Sequence, residues 1–162
     1  MTATTLPKIT IGMTCFNAEG TIAAAIQSAA TQDWADKEIL IVDDCSTDNS
    51  VSVIKDAIKS IPYARLIQHD INTGVGGAHN TLIKEASGDF IAVFDDDDVS
   101  RPERLKLQYD RITRFEATNQ TKMIVCHTAR IQKFPDGSES YIAALGSVLG
   151  HEPSGEMMAR RT

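Results

Sequence analysis

Residues 89–98 read DFIAVFDDDD, an apolar run from Asp89 to Phe94 that stops against four successive aspartates, Asp95, Asp96, Asp97 and Asp98. A short run with almost no polar interruption reads as a strand covered on both faces, the habit of parallel sheets. Three more runs repeat it: Lys8 to Met13 (KITIGM), Glu38 to Val42 (EILIV) and Ala64 to Gln68 (ARLIQ). Between them lie apolar stripes at spacings of three and four: Ile22, Ile26, Ala29 and Ala30, then Val51, Ile54, Ile58 and Ile61, then Leu105, Tyr109, Ile112 and Phe115. Such stripes predict helices that cover the sheet. The order is βαβαβαβα, an α/β fold of Rossmann-like α/β/α sandwich type with a mainly parallel sheet.

Boundary residues agree with that order. Ser46, Thr47 and Asp48 can cap the second helix, Gly88 follows a helix end, and Pro102 suits the first turn of the helix it opens. From Lys122 to Ala144 two apolar runs flank Phe134-Pro135-Asp136-Gly137, which predicts a hairpin turning at Asp136-Gly137. The last residues, Gly155 to Thr162, carry no stop signal, and the chain reads as cut there rather than finished.

The whole chain, 1–162, reads as one domain able to bury a core: 42% of its residues are hydrophobic and 23% charged. A net charge of −6 offers no general attraction for a nucleic-acid backbone, so phosphate binding must be local and metal-assisted. Three cysteines, Cys15, Cys45 and Cys126, lack C-x-x-C spacing and read as reduced thiols of a cytoplasmic protein rather than a disulfide framework or zinc site. No stretch approaches the roughly 18 apolar residues of a membrane span, and Met1 to Pro7 has no leader pattern. Attachment to the inner face of a membrane would be peripheral or lie outside this chain.

Ligands of open α/β sheets bind outside the carboxyl ends of the strands. Here the first strand ends in Thr14-Cys15-Phe16-Asn17, the second in Asp43-Asp44-Cys45-Ser46 and the fourth in Asp95 to Asp98. Successive carboxylates repel one another, and hard oxygen ligands suit Mg2+ or Mn2+, held by one or two carboxylates and completed by substrate phosphates. The plainer alternative, a helix cap before Pro102, needs one aspartate and not four. Asp43 and Asp44 open a turn-and-cap sequence, and at the shared rim one of them can accept a hydrogen bond from a nucleobase N–H. Phe16 can stack on a base or lid the core. Asn72-Thr73-Gly74-Val75-Gly76-Gly77 departs from G-x-G-x-x-G and follows the third strand, so it reads as a flexible loop beside the cleft. His79 reads as a surface residue of a helix.

The ordered set TCFNAEGTI, ILIVDDCSTDNS, NTGVGGAHN and SGDFIAVFDDDDVSRPERL resembles the inverting glycosyltransferases of family 2, with the GT-A fold. That resemblance implies a nucleotide-diphosphate sugar donor, a UDP-sugar above all, and an acceptor that is a saccharide, lipid-linked or protein hydroxyl, in polysaccharide or glycoconjugate synthesis. It implies that Asp95-x-Asp97 is the D-x-D element, with Asp97 the direct metal ligand, Asp95 and Asp96 near the ribose and metal shell, and Mn2+ or Mg2+ the cofactor. Thr14, Phe16 and Asn17 would line the nucleotide pocket, and Asp44 would read the uracil-type edge. Ala78-His79-Asn80 replaces the A-R-N that often follows N-x-G. The family's general base belongs to a later acidic element, expected beyond residue 162, so the chain by itself is expected to bind donor without transferring sugar. A stripe left uncovered by that missing part would invite homo-oligomers. Three rivals remain: a non-catalytic nucleotide-sugar-binding module; a nucleotidyltransferase, whose glycine-rich, lysine-bearing loop after the first strand is absent; and a flavodoxin-like or receiver-type domain, whose acidic pocket would be built chiefly from the first and third strands.

Overall fold

Burial on both faces of the first strand shows why the chain layers as it does. In β1 (Ile9–Cys15), Ile9, Ile11, Met13 and Cys15 join one core, while Gly12 turns to the opposite face, where a Cβ would lie 2.5 Å from the Leu82 methyls. The computed structural model describes residues 6–122, 124–143 and 157–160. After β1 come α1 (Ile22–Ala30), β2 (Lys37–Asp43), α2 (Ser50–Ile58), β3 (Ala64–Gln68), α3 (Gly74–Glu85), β4 (Phe90–Phe94) and α4 (Arg104–Asn119). Ile22 and Ile26 of α1, Ile54 of α2, and Leu105 and Ile112 of α4 enter the core that holds Ile9, Ile11 and Phe90. Ala78 and Leu82 of α3 instead pack with Leu40 and Val42 on the other face. Three helices therefore cover one side of the sheet and one covers the other.

The sheet has six strands in the order β3-β2-β1-β4-β8-β5. β1 runs parallel to both β2 and β4, with Cys15 opposite Asp43 and Met13 opposite Phe94. The chain steps outward from β1 to β3 and then returns to lay β4 on the far side of β1. That reversal opens a crevice at the carboxyl ends of β1 and β4, where α/β sheets bind ligands.

Four local expectations are corrected. β3 is the edge strand and only half-buried, not covered on both faces. The glycine segment after it is no loop: Gly74 begins α3 with φ at +74°, a conformation that costs an L side chain roughly 1–2 kcal/mol. Pro102 sits in the turn before α4 rather than inside it. Residues 122–144 are not one hairpin. β5 (Val125–His127) joins the main sheet, and only β6 (Arg130–Lys133) and β7 (Glu139–Ile142) pair with each other across the turn at Asp136-Gly137; Ala144 lies outside the described residues. The last stretch, read only as lacking a stop signal, contributes β8 (Met157–Arg160), antiparallel between β4 and β5. Residues 1–5, 155–156 and 161–162, to which the readings of both ends extended, also lie outside the described residues. No helix among the described residues is long and apolar enough to cross a membrane.

Candidate functional site

The loops after β1 and β2 are laced together by hydrogen bonds. Asn17 N donates to Ser46 Oγ at 2.9 Å, Thr47 N to Asn17 Oδ1 at 2.8 Å, Ala18 N to Ser50 Oγ at 2.8 Å and Glu19 N to Asp48 Oδ2 at 3.1 Å. Asn49 N returns a bond to Glu19 Oε2 at 2.8 Å. Asn17 and Cys45 are both left-handed, with φ of 55° and 65°, a strain held in place by this lacing. Asn17 thus spends its side-chain oxygen on the neighbouring loop. On the other flank Phe16 N donates to Asp96 Oδ2 at 3.3 Å, which joins the β1 loop to the aspartate run. Phe16 is 49% exposed, so its ring is free to take a planar ligand. Thr14, half-buried, occupies the same strand end opposite Val42.

Asp95 and Asp97 are exposed, whereas Asp96 and Asp98 are half-buried. Burial, then the charges of Asp97 and Asp95, push the Asp96 carboxyl above its ordinary range. Asp98 is raised by burial and by Asp95 and Asp97, with Arg130 and Arg104 pulling the other way. Negative charge is therefore crowded here beyond what the protein itself neutralises. Cys15 beneath is pushed up to about 11, first by burial and then by Asp96 and Asp43, and stays a thiol.

What holds the aspartate loop was not visible in the motif. Arg104, buried under the loop, donates to Val93 O at 2.7 Å and Ser100 Oγ at 3.0 Å and lies 3.9 Å from the Phe94 ring centroid. Gln32, just past α1, donates to Arg101 O at 2.8 Å and accepts from Leu105 N at 3.2 Å, clamping both ends of the segment that leads into α4. Ser100 N adds a bond to Ser28 Oγ at 3.2 Å. Gln32→Ala leaves buried backbone groups unpaired and is expected to cost about 2 kcal/mol. A urea midpoint unchanged from wild type would show that the clamp contributes nothing.

Asp43 and Asp44 divide the labour at the end of β2. Asp43 is buried and its Oδ2 accepts from Ser46 N at 3.1 Å, the turn-forming role, while Oδ1 has no partner among the described residues. Asp44 turns toward α3: its Oδ1 accepts from Thr73 N at 2.9 Å, Thr73 Oγ1 at 2.7 Å and His69 Nδ1 at 2.7 Å. Burial works against the charge, but these bonds outweigh it and hold the carboxyl at about 2. The α3 N-terminus beside it favours the anion as well. His69, the residue next after β3, was missed in the sequence reading. Its ring also meets Thr81 Oγ1 at 2.9 Å. His79, by contrast, bonds only its own helix, Nδ1 to Val75 O at 2.9 Å.

The family described as Glycosyl transferase family 2 matches residues 10–138, from β1 through the turn of the β6–β7 hairpin. The chain belongs to this family. The succinoglycan biosynthesis protein ExoO of Rhizobium meliloti is 41% identical over 106 residues, which cover 65% of this chain and 30% of that protein. Residues 1–349 of Staphylococcus aureus TarS, solved with UDP-GlcNAc, superpose with a TM-score of 0.60 at 28% identity over 73% of this chain and 33% of that one. The mannosyltransferase PcManGT of Pyrobaculum calidifontis, solved with GDP-Man and Mn2+, superposes with a TM-score of 0.65 at 22% identity over 82% of this chain and 37% of that one; this likeness is one of fold. The chain spans about a third of the length of such relatives. The fold is therefore the family's GT-A type.

A divalent cation at this rim would need ligands from outside it. Among the described residues no group of three or more His, Cys, Asp or Glu is gathered to hold an ion by itself. Crowded, mutually repelling carboxylates on a single loop suit an ion shared with a ligand's phosphates. A concavity of about 490 Å3 lined by Pro7, Lys8, Asp36, Asp89, Phe90 and Tyr109 opens at the amino ends of the strands, the wrong end of the sheet for this chemistry.

Proposed function

We propose that residues 1–162 act as one donor-binding domain of an inverting glycosyltransferase that uses a UDP-sugar in polysaccharide or glycoconjugate synthesis on the cytoplasmic side. The observation that carries it is that the carboxyl ends of β1, β2 and β4 bring Phe16, Asp44 and the Asp95–Asp98 run to one edge of the sheet, with Phe16 N bonded to Asp96. Phe16 and Thr14 border the nucleotide, Asn17 keeps the β1 loop in place, and Asp44 accepts the N3–H of uracil. Asp95 and Asp96 lie toward the ribose and metal shell, and Asp97, with Asp95, would hold Mn2+ or Mg2+. The ion, when bound, supplies positive charge to the departing diphosphate. An acceptor hydroxyl on a saccharide, lipid-linked or protein acceptor would attack the anomeric carbon as a general base takes its proton. That base is placed beyond residue 162, so this chain alone is expected to release no UDP from UDP-sugars offered with pooled acceptors. Support comes from the family match and from the UDP-GlcNAc bound to TarS.

Base choice tests the reading. An ionised carboxylate can only accept, so it favours uracil over cytosine, whose N3 is itself an acceptor. Asp44→Asn keeps an oxygen for the His69 and Thr73 donors but presents an amide N–H to the base. The UDP-over-CDP affinity ratio, measured by calorimetry with Mn2+, should fall by about tenfold or more. An unchanged ratio would remove Asp44 from base recognition.

A further inference from the structure

The bonds around Asp44 reach beyond the carboxylate itself. Three hydrogen bonds end on one oxygen, Oδ1, and come from two residues that no motif reading had assigned, Thr73 and His69. We propose that His69 is a positioning residue for base selection. With Thr73 it saturates Oδ1, fixes the plane of the carboxylate and leaves Oδ2 as the oxygen that meets the imide N3–H of a uracil-type base. The proposal rests on the reading of Asp44 given above and extends it to the residues that hold the carboxylate.

Because Asp44 is ionised it offers no proton, so the 2.7 Å contact requires His69 Nδ1 to be the donor. In the neutral ring Nε2 then accepts from the Thr81 hydroxyl at 2.9 Å. The ring is thereby fixed at both nitrogens, between a helix residue and the end of β2, while its backbone N–H donates to Asp43 O at 2.9 Å. Thr73 is fixed just as closely. A Cβ at Gly77 would overlap the Thr73 hydroxyl and its Cβ, so only glycine at 77 leaves Thr73 where it can donate to Asp44. A carboxylate with one free rotor would otherwise present either oxygen, or both, to the base. Positioning of this kind is how a site discriminates by hydrogen bonding rather than by contact area.

The chemistry suggests paired variants. In Asn the amide nitrogen stands as many bonds from Cα as Nδ1 does in His, whereas in Gln it stands where Nε2 does. His69→Asn therefore keeps the donor to Asp44, and His69→Gln removes it. UDP and CDP are titrated calorimetrically with Mn2+ into wild type, both variants, Gly77→Ala and Asp44→Asn. The UDP-over-CDP ratio is expected to fall about tenfold in His69→Gln and Gly77→Ala and to stay within about threefold of wild type in His69→Asn. A ratio lost in Asp44→Asn but kept in His69→Gln overturns the role of His69 and leaves Asp44 standing. A ratio kept in both overturns the two readings together. Equal weakening of UDP and CDP in His69→Gln marks a merely structural role and also overturns it. Should His69→Gln fail to fold, the wild-type imidazole nitrogen shifts decide: the Nδ1–H tautomer is expected, and an Nε2–H tautomer contradicts the proposal.

Discussion

Asp97→Asn is expected to abolish the gain in UDP affinity that Mn2+ confers, a loss on the order of 10²-fold at saturating metal. Asp97 is exposed at the turn of the loop, beside carboxyls that its own charge pushes upward. Among its described residues the protein gathers no three ligands there, so on the proposed reading affinity for ion and nucleotide would be mutual. Without Mn2+ the variant should bind UDP no more weakly than wild type, since it lacks one of the carboxylates that repel the diphosphate. Asp98→Asn should matter much less, because Asp98 is half-buried, and Arg130 and Arg104 oppose only part of the upward push from burial, Asp95 and Asp97. Calorimetric titrations with and without Mn2+ measure all of this. A wild type indifferent to Mn2+, or an Asp97→Asn protein that keeps the full gain, would end the metal assignment.

Phe90→Ala is expected to lower stability by about 3–5 kcal/mol, a large part of the 5–15 kcal/mol typical of a domain. Phe90 is fully buried in β4 and meets the Tyr109 ring edge-on at 5.4 Å; Tyr109 in turn packs against Trp34 at 4.9 Å. Truncation leaves a hole between the sheet and α4 that neither ring can fill. Phe16→Ala removes a ring of the same size that is half exposed and is expected to change stability by no more than about 0.5 kcal/mol while weakening UDP binding. Urea unfolding of the pair measures the contrast. Similar midpoints for the two variants would mean that β4 is not anchored as described.

Two kinds of information meet in this chain, and they differ in range. Period and composition are local, so β1, β2, β4 and the helices with stripes were readable: Ile9 to Met13 and Phe90 to Phe94 had to be buried on both faces, and Ile22, Ile54 and Leu105 had to face a sheet. The aspartate run was readable for the same reason, since four adjacent charges after a buried strand have no structural use that one would not serve. The rule that ligands gather at carboxyl strand ends then put Asp44 and Asp95 to Asp98 on one rim, and the register of β1 with β2 and β4 agrees. Applied to β3 as well, it would have pointed at His69, which follows that strand directly.

The remainder depends on partners far away in the chain. Nothing in Gly155 to Thr162 marks a strand, because β8 is short and its pairing energy comes from β4 and β5, whose edges exist only after the sheet forms. The glycines at 74, 76 and 77 read as a loop by propensity, yet α3 starts there, with Asp44, 29 positions away, accepting the N–H of Thr73 just before the helix. Gln32 and Arg104 belong to no motif, and only the fold buries them against the segment that joins the aspartate loop to α4. The sequence by itself determined which residues are apolar at what period and which charges crowd together. Only the tertiary structure decided which oxygen of Asp44 is occupied, because a side-chain hydrogen bond has a direction and a length, and neither is written in residue order.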